Sequence, residues 1–427
     1  MRPARAAITG WAWRTPLGAS MDEVLPLLLA GERAATPGHR FPLSTYPCSF
    51  VAPIRGEARE GRHRRFVRRL GLFAMEAGFE AFAGAGHRRD QLAGSISRAQ
   101  KGDRQGDRLG LFTAVGGLRA DWDELTPALA SQRPDGALAW DGGFRLLHPF
   151  WMLRYLSNNV HALLAMELGA RGEGVCFGGA NAGAQALVSA ARALEVGAVD
   201  AALVVAYDSL IEPETLVELG ARGELARANT KTALAPPYSP FASGFVPGEA
   251  AAAIVLERKE DAGDRSLAIL TAADATDGQE GEPLAETIER AAQEVAQGDS
   301  IVDGAARANA ALDQAEREAL ARVLGTDAVL LATASAMGRV GAAAALVQAI
   351  ALGTIVRSGA LPPIAGFPDP SNEPELNQIN KTLPDRAAGS RAPLRSLARA
   401  EPTRARSAIG ISTGAPGAVG VVRVEVP

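Results

Sequence analysis

Apolar residues follow two periods along this chain, and the two alternate. Runs that are apolar almost throughout occur at 6–10, 109–115, 174–177, 201–206, 250–257, 327–332, 408–411 and 419–426. Short runs of this kind, bounded by turn formers, read as strands buried on both faces. Between them, residues 21–30, 66–83, 160–168, 182–195, 284–296, 313–324 and 341–352 place apolar side chains at helical spacing, as Leu70, Phe73, Ala74, Ala77 and Ala81 do. Gly31 stops the first of these helices. The alternation predicts an α/β chain around a parallel or mixed sheet. Two stretches interrupt it: the polar residues 94–107 read as a connection, and 367–406, rich in proline and arginine, as a surface excursion before the last strands.

With 427 residues, 47% of them hydrophobic, the chain is expected to form two domains or one large duplicated unit. The segments Asp200-Ala-Leu-Val-Val-Ala and Asp327-Ala-Val-Leu-Leu-Ala hint at duplication, although short buried strands recur in many such proteins. A net charge of −4 gives no overall field for nucleic acid or anionic lipid, so neither is an expected partner. No run of 18 apolar residues and no leader pattern is seen, and the two cysteines, Cys48 and Cys176, fit a reducing compartment; the expectation is a cytoplasmic protein without membrane spans. All five histidines precede residue 162, which excludes any mechanism that needs a late imidazole. No metal-ligand or nucleotide motif occurs, so no cofactor is expected.

The most informative local pattern is Val175-Cys176-Phe177-Gly178-Gly179-Ala180-Asn181-Ala182-Gly183-Ala184: a strand, a glycine turn and the start of an alanine-rich helix. This is how a fold presents a nucleophile, and cysteine there would gain thiolate character from the helix N-terminus. The residue presented is Asn181, an amide that cannot attack. Either it is tolerated because asparagine suits a tight turn, or its amide fills a lost acyl site. Cys176, inside the strand, reads as a small buried hydrophobe.

Several segments together resemble the β-ketoacyl synthases of the thiolase superfamily. Ile8-Thr9-Gly10 through Thr15-Pro16-Leu17-Gly18 is similar to the family's opening, and Leu28-Leu29-Ala30-Gly31 to the end of its first helix. Pro237-Tyr238 followed by Gly244-Phe245-Val246-Pro247-Gly248-Glu249-Ala250 is similar to its Pro-Phe-Asp and Gly-Phe-Val-Leu-Gly-Glu-Gly-Ala. Residues 412–420 occupy the slot of its glycine-rich terminal loop. The resemblance implies an α/β, thiolase-like five-layered αβαβα sandwich of two similar halves, here 1–257 and 258–427, and a dimer.

An active member uses a cysteine, two histidines and a lysine. In this chain the matching positions hold Asn181, Ala305, Arg339 and Ala334. The histidine loop falls on Ala305-Ala306-Arg307-Ala308-Asn309-Ala310, ahead of the helix pattern Asp313-x-x-Glu316, and the lysine segment on Ala334-Ser335-Ala336-Met337-Gly338-Arg339. No catalytic residue is therefore expected. The chain most resembles the chain-length factor, the non-condensing partner of a catalytic ketosynthase subunit in type II polyketide and polyene synthases. The resemblance places Trp151, Met152 and Tyr155 at the tunnel and heterodimer interface; four apart, Trp151 and Tyr155 share a face if helical. Arg65, Arg68 and Arg69, within the run that includes Arg62 and Arg64, match positions that dock acyl carrier protein. A stand-alone acyltransferase or decarboxylase, or an acyl-binding scaffold on the same fold, is the alternative.

Overall fold

The computed structural model describes residues 3–38, 40–59, 61–87, 104–117, 122–130, 143–228, 234–275, 283–367, 394–414 and 417–427. Residues 94–103 of the polar connection expected at 94–107, most of the excursion after 367 and Ala415–Pro416 lie outside these residues, while Arg104–Asp107 form a short helix.

The strands are β1 (Ala4–Arg14), β2 (Leu109–Val115), β3 (Gly174–Gly178), β4 (Ala201–Ser209), β5 (Glu249–Glu257), β6 (Ala268–Ala275), β7 (Ile301–Asp303), β8 (Val329–Leu331), β9 (Ala360–Leu361), β10 (Arg395–Ser396), β11 (Glu401–Pro402), β12 (Ser407–Thr413) and β13 (Val419–Glu425). Helices relevant here are α1 (Met21–Leu29), α2 (Arg69–Gly84), α3 (Trp151–Tyr155), α4 (Asn159–Leu168), α5 (Ala182–Glu195), α6 (Leu284–Val295), α7 (Ala310–Leu324), α8 (Thr333–Met337) and α9 (Ala344–Ser358).

The main sheet runs β10-β8-β7-β12-β13-β6-β1-β5-β4-β2-β3, and β9 and β11 pair separately. Its two halves mirror each other. From one edge, β3-β2-β4-β5-β1 repeats in kind as β8-β7-β12-β13-β6 from the other, and β1 joins them by pairing with β5 over most of its length and with β6 over Ala4–Ile8. The Asp200 and Asp327 segments therefore belong to strands that are not counterparts in the mirror: β4 answers to β12, and β8 to β3.

Every residue of β5 is buried, and its alternation assigns the layers. Ala251, Ala253 and Val255 join α2 and α4 in one core; Ala252, Ile254 and Leu256 face inward with α5 and α9. On the far side, Ile288, Ala292 and Leu320 of α6 and α7 cover Val302, Ile409 and Val421. Three helical layers enclose two sheet layers, giving the thiolase-like αβαβα sandwich. The central helices are rich in alanine because they approach closely: a Cβ added at Gly183 of α5 would lie 2.2 Å from the Ala342 carbonyl oxygen just before α9. The stretch 341–358 is apolar and long enough by composition to cross a membrane, yet most of it is buried as this core helix.

Candidate functional site

The N-termini of α5 and α9 approach each other at Gly183 and Ala342, near the positions that the resemblance matches to reactive groups. Asn181 precedes α5 in the bridge region (φ −103°, ψ 9°), more than nine-tenths buried, and its side chain makes no capping bond. Its carbonyl accepts the Ala184 and Gln185 amides at 3.1 and 3.3 Å, so the backbone starts the helix. Its Oδ1 is buried with no hydrogen-bond partner among the described residues. Gly420 lies against it: a Cβ there would meet Asn181 Oδ1 at 2.9 Å and Ala184 Cβ at 2.3 Å.

Ala305 stands in a loop gripped from α7. Glu316 Oε1 accepts the Ala305 amide at 2.7 Å, and its Oε2 accepts the Tyr238 hydroxyl at 3.0 Å. Tyr238 Oη in turn accepts the Ala306 amide at 3.0 Å, and Asp313 Oδ2 accepts the Tyr238 amide at 2.7 Å. These bonds hold Tyr238 (φ 62°), Ala306 (φ 48°) and Ala308 (φ 52°) in the left-handed region, at a cost of order 1–3 kcal/mol each. Burial pushes Asp313 up to about 6 and Glu316 up to about 7, against the hydrogen bonds that favour their charged forms. Asp303, which accepts from the Thr333 amide and hydroxyl at 2.7 and 2.6 Å, is likewise raised by burial to about 6.

Arg339 closes the site from the other side. Its backbone is locked to the 246–248 turn, donating to Val246 O and accepting from the Gly248 amide. Its guanidinium donates to Thr413 O at 2.9 Å and Oγ1 at 3.2 Å and lies 4.9 Å from the Phe245 ring centroid. Burial, reinforced by the nearby Arg307 cation, lowers its pKa to about 10, so it stays charged near neutrality.

Ala305, Ala334, Arg339, Gln348 and Thr413 line one cavity of about 30 Å³. Three of the four positions that the resemblance matches to reactive groups thus meet, and the fourth, Asn181, lies beyond Thr413: a Cβ on Gly414 would lie 3.1 Å from the Asn181 backbone nitrogen. These four positions hold an amide, two methyl groups and a guanidinium. The carboxylates are spent holding backbone amides. Gln348 was not singled out from the sequence. Its Nε2 donates to Ile411 O at 2.9 Å, while its Oε1 is buried without a partner among the described residues. The signal was a lone amide in an otherwise apolar helix.

Cys176 lies half-buried on β3, its thiol donating to Ser157 O at 3.5 Å. Thr113, its ladder partner on β2, bonds His161 Nδ1 at 3.0 Å, so one early histidine shares this region of the sheet.

A second feature lies at the β3 edge. Among the described residues this strand pairs only with β2, and Val175 upon it is 41% exposed. In the segment that Ser157 ties to β3 through the Cys176 thiol, Met152 and Leu156 are exposed as well, as are Phe144 and Leu146 ahead of it. Trp151 and Tyr155 share the short helix α3 and stack at 5.2 Å, as their spacing implies. The cationic run divides. Arg68 lies over the Tyr155 ring at 5.3 Å, and Arg69 pairs with the buried Glu249, whose carboxylate also accepts the Ile54 amide. Arg64 and Arg65 are exposed. The run expected to dock a carrier protein as one surface is therefore turned inward at two of its three named positions.

Comparison with known proteins follows the same outline. Residues 4–262 match the family model for the β-ketoacyl synthase N-terminal domain, and 271–368 that for the C-terminal domain. The chain belongs to the β-ketoacyl synthase family. This synthase-family chain is 28% identical over 273 residues to the chloroplastic 3-oxoacyl-[acyl-carrier-protein] synthase I of Hordeum vulgare, covering 62% of the chain but only 55% of that enzyme. It is also 28% identical over 388 residues to the tetracenomycin polyketide synthase ketoacyl synthase beta subunit of Streptomyces glaucescens, covering 86% of the chain and 90% of that subunit. Among solved structures, the ishigamide ketosynthase/chain length factor superposes with a TM-score of 0.75 at 21% identity, over 100% of both chains. That likeness shows the fold.

Proposed function

We propose that this chain is a non-catalytic, chain-length-factor-like subunit. It pairs with an active β-ketoacyl-ACP synthase in type II polyketide or polyene biosynthesis and shapes the acyl tunnel at the heterodimer interface. The observation that carries this reading is the hydrogen-bonded frame that Asp313, Glu316 and Tyr238 build around Ala305 and Ala306, at the positions where the family resemblance matches Asn181, Ala305, Ala334 and Arg339 to reactive groups that these side chains cannot supply. The exposed Val175 on β3, with Met152 and Leu156 on the segment tied to it, supports a partner, since exposed apolar side chains beside a strand edge are association sites. In this reading Trp151, Met152 and Tyr155 of α3 shape the tunnel and the interface. In this reading residues 1–257 supply the contact face and 258–427 most of the vestigial cavity. Carrier protein, acidic in charge, would meet Arg64 and Arg65.

The test is reconstitution. Co-expressed with a ketosynthase that retains its cysteine and histidines, the chain is expected to form a stable one-to-one complex, and product length is expected to depend on its presence. The chain alone is expected to take up no acyl group from an acyl carrier protein. A covalent acyl adduct on the isolated chain, abolished by Cys176→Ala, would replace this reading with that of a stand-alone acyltransferase.

A further inference from the structure

Arg33, just past the Gly31 turn that ends α1, is a fixed cation with no carboxylate partner among the described residues. The main chain beside it is pinned where the Ala34 amide donates to Ala336 O at 2.8 Å. Its guanidinium donates through Nε and Nη2 to Ala365 O at 3.1 and 2.8 Å, and through Nη1 to Leu234 O at 2.7 Å. Gly366 leaves room for it: a Cβ there would fall 1.8 Å from Nη2. Three N–H groups are thus spent on main-chain carbonyls. A guanidinium carries about five, so one remains on each terminal nitrogen. Burial lowers the Arg33 pKa, and no neighbouring carboxylate opposes that shift.

The same side chain lines a cavity of about 30 Å³, with Ala35, Leu234, Pro237, Phe245 and Ser335 among its walls. Ser335 has no hydroxyl proton to offer, because its Oγ donates to Ala332 O at 2.6 Å and accepts the Ala365 amide at 2.8 Å. Among the described residues no acidic side chain lines this space, and the rest of its walls are apolar or glycine. Arg33, Ala35 and Leu234 are only half-buried, so the cavity is reached from the surface on their side. It is distinct from the cavity at Arg339, with which it shares Ala334 and Gly338. One water needs about 10–15 Å³ of such space, so about two or three water-sized groups fit, the size of a carboxylate.

We propose that this cavity binds a short-chain carboxylate, with its oxygens on the two remaining Arg33 N–H groups and its alkyl end among the apolar walls. Paired N–H donors on a planar guanidinium match the two oxygens of a carboxylate. A phosphate carries more charge and more oxygens, and walls of alanine, leucine and proline would leave those oxygens without donors. The site stands apart from the reading of the chain as a subunit, and failure of reconstitution leaves it untouched.

The experiment uses the purified chain and needs no partner. Propionate is titrated by ligand-observed NMR at constant ionic strength, with propionamide and inorganic phosphate in parallel. Propionate is expected to saturate with an affinity on the order of millimolar, the scale open to so small a ligand. Propionamide and phosphate are expected to bind at least about tenfold more weakly. Arg33→Met removes the charge, keeps an apolar stem and is expected to weaken propionate by at least about tenfold. Ala35→Leu leaves Arg33 and its carbonyl contacts in place, fills the cavity and is expected to abolish binding. Circular dichroism reports whether each variant is folded. If propionate does not saturate the wild-type chain, or if binding survives in a folded Arg33→Met or Ala35→Leu chain, the site is overturned. Propionamide binding as tightly as propionate would overturn the role of the charge, and phosphate binding more tightly would overturn the carboxylate assignment.

Discussion

Tyr238 donates its hydroxyl to Glu316 at 3.0 Å while the same oxygen accepts the Ala306 amide at 3.0 Å. A single phenol thus ties a buried carboxyl to a left-handed turn. Burial raises Glu316 to about 7 from an ordinary 4.5, so the folded protein holds this proton more tightly than the unfolded chain does. Its contribution to stability is therefore full below about 4.5 and lost as pH climbs through about 7. Asp303 and Asp313, raised to about 6, act in the same direction. Urea unfolding across this window should show stability falling as pH rises, and Glu316→Gln should flatten the slope without removing it. An unchanged slope in that variant would assign the titration elsewhere.

Arg339 is the cation facing Asp313 and Glu316 across the loop. Arg339→Ala removes its charged hydrogen bonds to Thr413 and its contact with Phe245. The expected loss is about 2–3 kcal/mol, with Glu316 driven further toward its protonated form. Thermal and denaturant unfolding measure the first, and the pH profile of the variant measures the second.

Restoring one group should not restore chemistry. Asn181→Cys places a thiol at the start of α5, but Ala305 and Ala334 supply neither oxyanion donor nor cation. Condensation by the isolated variant is expected to stay at background in a radiolabelled malonyl assay. Measurable turnover would mean that the cavity retains a catalytic group not recognised above.

Gly341 adopts φ 52°, and a Cβ there would fall 1.9 Å from Asp208 Oδ2, which accepts the Ala342 amide at 2.9 Å. Gly341→Ala combines a left-handed backbone with a clash against a buried carboxylate. We expect at least about 2 kcal/mol of destabilisation. Gly263→Ala, also at positive φ but with open space around its Cβ, separates the backbone cost from the clash.

Charge placed on the contact face should break assembly and spare the fold. Met152 is 63% exposed, so Met152→Arg is expected to leave the melting curve of the isolated chain within a degree or two of wild type. Co-purification with the ketosynthase should fall sharply. Retained binding would move the interface away from α3.

The alternation of strands and helices was legible because most strands are buried on both faces and so read as continuous apolar runs. β6 was not: Ala268-Ile-Leu-Thr-Ala-Ala-Asp-Ala is alanine-rich and carries Thr271 and Asp274, and its conformation is set by pairing with β1 and β13. β7, three residues long, is too short to announce itself. The bend at Asn181 and the α7 acids were readable, since both depend on local pattern. Gln348 matters through neighbours distant in sequence, such as Ile411. The resemblance matches Arg68 and Arg69 to carrier-protein docking positions, and only the fold reveals that Arg69 pairs with the buried Glu249 and that Arg68 lies over the Tyr155 ring.

Among the described residues the outer flank of β3 is unpaired, and Val175 on it is exposed. Such a border is a template for self-association. If the proposed subunit reading holds, making this chain and its partner in matched amounts becomes a condition of keeping it in solution, and an excess of this chain would be the first to precipitate.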